Sequence, residues 1–220
     1  MPPLVDIHTH GAGCIGAVRV VSVEAGGPLP AKTEGVYLAL GVHPWHTGAA
    51  DLEERLAWVA SQCTRSDVLA VGECGLDRLH GAALSVQMEA FMRQIHLAES
   101  LGKPLIIHCV RAFSELVGLK RKLRVSVPMI VHGFNQRARI GQQLLAEGFW
   151  LSFGAALLET RSAAAALFTE VPADRLFLET DAASLEIGAV YAAAARLRGV
   201  VPDELRAAIW KNFLTVFPHE

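Results

Sequence analysis

The feature that most constrains this chain is an alternation of two kinds of segment along its whole length. Short runs rich in Val, Ile and Leu, bounded by Gly or Pro, recur between longer stretches with helical spacing of apolar residues. The runs are LVDI at 4–7, VYLALGV at 36–42, VLAVG at 68–72, PLIIH at 104–108, PMIVH at 128–132, FWLSF at 149–153 and RLFLETD at 175–181. Helices are expected near 51–63, 85–101, 112–123, 137–147, 161–169, 188–198 and 203–216. Strands that are apolar almost throughout are buried on both faces, and strand-then-helix order is what a parallel sheet covered by helices requires. Seven or so such units predict a closed α/β barrel of the (β/α)8 TIM type. At 220 residues and 52% hydrophobic, the chain is long enough for one such core, so a single domain over 1–220 is expected.

The barrel should be distorted near its start. Residues 11–35 are too short and too broken by Gly and Pro for a full crossover helix, and VRVVSV at 18–23 reads as an added or antiparallel strand.

What terminates the runs is chemically uniform. LVDI leads to His8 and His10, LALGV to His43, VLAVG to Glu73, PLII to His108, PMIV to His132 and LFLET to Asp181. On an extended backbone residues i and i+2 point the same way, so His8 and His10 present their rings together. In parallel α/β barrels the C-terminal strand ends form one rim, where catalytic groups from several strands converge. With 9 histidines in 220 residues, chance rarely ends four separate strands in one.

His8, His10, His108 and His132 with Glu73 and Asp181 are more donors than one tetrahedral ion uses. Two divalent ions suit the set, about 3.5–4 Å apart with a carboxylate between them. The expected assignment puts one ion on His8, His10 and Asp181 and the other on His108 and His132, with Glu73 touching both. Nitrogen and oxygen donors without thiolate favour Zn, Mn or Co, and Mg where carboxylate and water dominate. Such a pair would activate a bound water, position it for attack and neutralise charge on a phosphoryl or carbonyl oxygen, and Asp181 would accept the water's proton as general base. Asp181 could instead cap the following helix. Many barrel hydrolases bridge their metals with a modified lysine, but none of Lys32, Lys103, Lys120, Lys122 and Lys211 follows an apolar strand, which leaves that place to Glu73.

Composition excludes several other classes. No run approaches the roughly 18 apolar residues of a membrane span, and the N-terminus lacks a secretory pattern, so a soluble cytoplasmic chain is expected. Cys14, Cys63, Cys74 and Cys109 form no CxxC pair and read as reduced thiols. Cys74 and Cys109 follow ligand positions and should face the helices as packing. A net charge of −2 gives no global basic field, so any nucleic-acid contact must be weak and local. Lys120, Arg121, Lys122 and Arg124 sit where a helix should end, complementing its dipole. Arg78, Arg111 and Arg137 follow strand ends and could meet a phosphate. Trp45, Phe134 and Trp150 are expected in the core, although Trp45 and Phe134 lie near the mouth, where a ring could stack a base.

DIHTH at 6–10, GVHPW at 41–45, GECGLD at 72–77, LIIHC at 105–109, HGF at 132–134, LSFG at 151–154 and ETDA at 179–182 together resemble the successive motifs of the TatD family of metal-dependent hydrolases and deoxyribonucleases. KNF at 211–213 resembles that family's terminal helix. The resemblance implies a distorted barrel, a two-metal centre and phosphodiester hydrolysis, in several members 3'-to-5' exonuclease action on DNA. It implies metal ligands at His8, His10, Glu73, His108, His132 and Asp181, catalytic roles for Glu73 and Asp181, and a substrate-phosphate contact at His43. Arg111 and Arg78 are further candidates for substrate binding. The chain departs from the pattern at Val110, where the family commonly has Arg, and at Ala183, Ser184 and Leu185, where it commonly has a proline and an aromatic or acidic residue. The stretch between the first two motifs is also short, as in a compact subgroup. The substrate would be DNA or a small phosphodiester. Alternatives are a barrel hydrolase of C–N or lactone bonds, and an assembly subunit without turnover. Nothing in the sequence fixes an oligomeric state.

Overall fold

The computed structural model describes residues 1–11 and 16–217. Eight strands stand in one sheet in chain order, β1 to β8, and helices alternate with them from β3 onward. This is the α/β barrel class that the alternation predicts. The strands are β1 Val5–Thr9, β2 Val18–Glu24, β3 Val36–Gly41, β4 Val68–Asp77, β5 Leu105–Val110, β6 Met129–Val131, β7 Trp150–Phe153 and β8 Leu176–Leu178. The helices are α1 Leu52–Gln62, α2 Leu84–Leu101, α3 Phe113–Leu123, α4 Ala138–Ala146, α5 Ala163–Phe168, α6 Ile187–Arg198 and α7 Pro202–Val216. VRVVSV forms β2, and its pairing with β1 is parallel, which corrects the antiparallel alternative. The two strands run the same way in register, Val5 facing Val18 and Asp6 facing Arg19.

Contacts gather the chain into two units, each built from distant segments. The first comprises residues 1–21, 34–36 and 131–216. Its core is aromatic: Phe153 meets Phe134 and Phe168 edge to face at 5.9 and 5.2 Å, and Trp150 lies against Phe177 at 5.3 Å. Fully burying each such ring contributes roughly 1.5–3 kcal/mol. Phe134 and Trp150 are therefore core, as expected. Tyr191 of α6 ties β1 in place, its hydroxyl accepting from Val5 N–H at 3.1 Å and donating to Val5 O at 3.2 Å. Asn212, the middle residue of KNF, donates to Ala173 O and Leu176 O at 2.8 and 2.9 Å and so fixes α7 at the start of β8.

The second unit comprises residues 22–33, 37–130 and 217 onward. All ten residues of β4 are buried. Its pairing with β5 brings the two backbones so close at Gly75 that a Cβ there would lie 2.1 Å from His108 O, and φ is +138°. Only glycine fits beside that carbonyl. Polar side chains of α2 satisfy loop backbone: Gln94 bonds both N–H and O of Val42, and Gln87 bonds Asp77 N–H and O. α2 ends on Gly102 in the left-handed conformation. Lys103 then turns its ammonium onto Cys63 O, Arg65 O and Val68 O, at the start of β5 and away from its C-terminal end. Lys120, Arg121 and Lys122 occupy the last turn of α3, where the helix dipole favours cations.

Candidate metal centre

Each unit carries a group of metal-type donors. In the first, the parallel bridge between Thr9 and Asp181 joins the first strand to the segment after the last, with Asp181 N–H donating to His8 O and His10 N–H to Asp181 O. That stitching sets both imidazoles of the HxH pair around one carboxylate. Asp181 Oδ1 is 3.6 Å from Nε2 of His8 and 3.6 Å from Nε2 of His10. His132 joins them, its ring 4.1 Å from that of His8. Asp181 does not cap a helix: α6 begins six residues later, behind Glu186, and Asp181 itself has φ of +53°.

Behind these groups stand two carboxylates that earned no role from the sequence. Glu179 is buried; its Oε1 accepts from Gly133 N–H at 2.5 Å and lies 3.7 Å from His132 Nδ1. Asp6 is buried and accepts from the backbone N–H and hydroxyl of Thr180 at 3.0 and 2.7 Å. Burial pushes its carboxyl up to about 6, against the opposing pull of those two donors.

In the second unit, Glu73 Oε1 lies 3.0 Å from His108 Nδ1 and 3.1 Å from His43 Nε2. His43 Nδ1 accepts Trp45 N–H at 3.3 Å, so the neutral ring carries its proton on Nε2 and donates it to Glu73. On the other side of His108, Asp77 Oδ2 is 3.2 Å from Nε2 and accepts the Trp45 indole N–H at 2.6 Å. Burial would push Asp77 up, but Trp45, the Leu79 N–H and His108 outweigh it and hold its carboxyl down at about 2. Glu24, the last residue of β2, accepts His43 N–H at 3.3 Å and lies 3.1 Å from His46 Nδ1. Glu24 and Asp77 both end strands, so the rule that found the other ligands would have found these had it been applied to every strand.

The donor sets fit a divalent ion. The ligand atoms of His8, His10 and Asp181 all lie within 4.8 Å of one another, as do those of His43, Glu73 and His108. Imidazole and carboxylate together suit Zn, Mn or Co. Cys74 is fully buried and burial raises its thiol far above its usual value, while Cys109 is partly buried and its thiol is pushed up to about 12. Cys63 and Cys74 are free and buried, Cys109 is free, and Cys14 lies outside the described residues.

Arg78 is found in an ion pair, and the expectation for Trp45 changes. Arg78 donates to Arg111 O at 3.0 Å and pairs with Glu115, so its charge is already engaged. Arg111 and Arg137 are exposed at their strand and helix ends. Trp45 is not core: it is 49% exposed, its indole N–H held by the buried Asp77 carboxylate while the rest of the ring faces solvent.

The sequence profile of the family described as TatD related DNase matches residues 28–218. The chain belongs to the TatD family. Among TatD relatives, the uncharacterized metal-dependent hydrolase YabD of Bacillus subtilis is 35% identical over 150 residues, which cover 66% of this chain and 58% of YabD. The 3'-5' ssDNA/RNA exonuclease TatD of Cronobacter sakazakii is 31% identical over 155 residues, covering 69% of this chain and 59% of that protein. The matched part is thus under two thirds of these relatives' own length. YJJV, a TatD homologue of Escherichia coli K12, superposes with a TM-score of 0.83 over 97% of both chains at 22% identity, a likeness of fold. Among the described residues no helix is long and apolar enough to cross a membrane.

Proposed function

We propose that the protein is a metal-dependent phosphodiesterase that cleaves single-stranded DNA or a small phosphodiester, acting on DNA as an exonuclease from the 3' end. The observation that carries this is the convergence of His8, His10 and Asp181 on one point, with Asp181 half exposed at 44% and so open to substrate and water. Divalent ions held by these side chains would activate water and neutralise phosphoryl charge. The ligand assignment read from the strand ends is kept as part of the proposal: His8, His10 and Asp181 for one ion, His108 and His132 for the other, with Glu73 touching both.

The protein's own groups do the rest. Asp181 takes the proton of the attacking water on its exposed carboxylate. His8 is buried and rigid, and fixes where that carboxylate stands. His43 holds Glu73 through its Nε2 proton and offers its ring edge to the substrate phosphate, with Arg111 supplying a nearby cation. The cavity beside His10 and Asp181, about 510 Å³, is lined by Leu185 and Glu186 and by Ala182, Ala183 and Ser184, three small side chains that leave room for a sugar-phosphate unit.

A rival reading, hydrolysis of C–N or lactone bonds, draws on the engagement of Arg78 by Glu115, which removes one phosphate-binding cation. The test incubates metal-loaded protein with end-labelled single- and double-stranded DNA, a chromogenic phosphodiester, and small amides and lactones. Cleavage of the phosphodiesters that is lost in Glu73→Gln supports the proposal. Turnover of amides or lactones alone, or full activity in Glu73→Gln, overturns it.

A further inference from the structure

Trp45 is built like a recognition surface. It follows His43 in a short 3-10 turn, Pro44–His46, that is held from several sides. Thr47 hydroxyl donates to Pro44 O at 2.9 Å, Glu24 holds His43 N–H and His46, and the 78–82 loop packs so tightly that a Cβ on Gly81 would lie 2.6 Å from Pro44 O and 3.0 Å from Trp45 Cα. The indole N–H is fixed on the buried Asp77 carboxylate. Its ring centroid lies 4.8 Å from that of His43, 5.9 Å from His108 and 5.3 Å from His80, yet nearly half of the residue faces solvent. A large apolar ring held still at its polar end and left open gains nothing for folding from its open part. Such a ring gives a planar ligand contact area with little ordering entropy left to lose.

We infer that Trp45 is the platform on which a nucleobase next to the scissile phosphodiester stacks. The inference rests on the phosphodiesterase reading and adds the recognised chemistry: a flat heteroaromatic ring, read by stacking and without regard to base identity. His43 and His108 place that ring beside the Glu73 cluster, so the base would be that of the nucleotide bearing the phosphate. His80, 64% exposed and 3.4 Å from Asp77 Oδ2, borders the same face.

The experiment uses two single-stranded oligonucleotides that differ only at the 3'-terminal nucleoside, one with its base and one with a tetrahydrofuran abasic residue. Wild type should favour the base-bearing oligonucleotide. Trp45→Ala should shrink the ratio of the two KM values, abasic over base-bearing, about 10-fold or more whatever the loosened Asp77 costs both oligonucleotides alike, and Trp45→Phe should keep most of that ratio. Fluorescence anisotropy with metal-free protein and labelled oligonucleotides supplies a readout apart from turnover, with the same order expected. If Trp45→Ala retains the preference, or loses both oligonucleotides equally, the platform is refuted while cleavage by wild type leaves the phosphodiesterase reading standing. If wild type cleaves neither oligonucleotide, that reading fails, and anisotropy without a base preference refutes the platform as well.

Discussion

Asp77 Oδ2 stands 3.2 Å from Nε2 of His108, on the opposite side of the imidazole from Glu73. A carboxylate in that place fixes the tautomer and the ring plane of a ligating histidine. Asp77→Asn should therefore lower metal affinity about 10- to 100-fold without unfolding the chain. Competition against a chromogenic chelator, with circular dichroism as the folding control, measures it; unchanged affinity would remove Asp77 from the site.

His43 and His108 both touch Glu73, but their nitrogens are committed differently. His43 spends Nδ1 on Trp45 N–H and donates from Nε2, whereas His108 faces Glu73 with Nδ1 and is braced behind by Asp77. His108→Ala should lose bound metal, and His43→Ala should keep it while raising KM. Elemental analysis of dialysed protein beside steady-state kinetics separates the two; equal metal loss in both variants would make His43 a ligand.

The four strands that end in histidine were legible from the sequence because a strand leaves its last residue at a defined edge. The apolar runs located seven of eight strands, and helix limits fell within about two residues of their observed ends, with Gly102 and Gly199 marking where α2 and α6 stop. Three things were not legible. β2 has intermediate burial over most of its length, so nothing in its composition distinguished parallel from antiparallel pairing. The partners of Asp77 and Glu24 stayed hidden although both residues end strands, because those partners lie 31 and 19 residues away. Trp45 misled because the pose of its ring is set by the acceptor of its N–H, the buried Asp77, which lies 32 residues on in the sequence.

Gly75 has no room for a side chain. A methyl there would collide with His108 O at 2.1 Å and sit at a φ of +138°. Gly75→Ala should destabilise the protein by about 2 kcal/mol or more, a fall in Tm of about 4 °C or more by thermal denaturation. A Tm within a degree of wild type would mean that β4 and β5 are not this close.

Glu99 caps the start of the chain leading to β6, accepting Ser126 N–H and Val127 N–H at 2.6 and 2.9 Å and Ser126 Oγ–H at 2.9 Å. Burial pushes its carboxyl up, but these donors outweigh it and hold it below its usual 4.5. A depressed carboxylate stabilises the folded chain fully above its unfolded value and loses that contribution as pH falls through the folded one. Glu99→Gln should cost about 1–2 kcal/mol at neutral pH, and the gap to wild type should shrink as pH falls below 4.5 and through the depressed folded value. Urea denaturation across that range measures it; a constant gap would refute the assignment.

One oxygen, Asp77 Oδ2, is shared by the Trp45 indole and by His108. Swapping the tryptophan for another ring frees that oxygen to shift, and the imidazole that leans on it shifts too. A lineage cannot change what this corner greets without also loosening what it grips, and variants that broaden its appetite should be found most often with a compensating second change at residue 77 or 108.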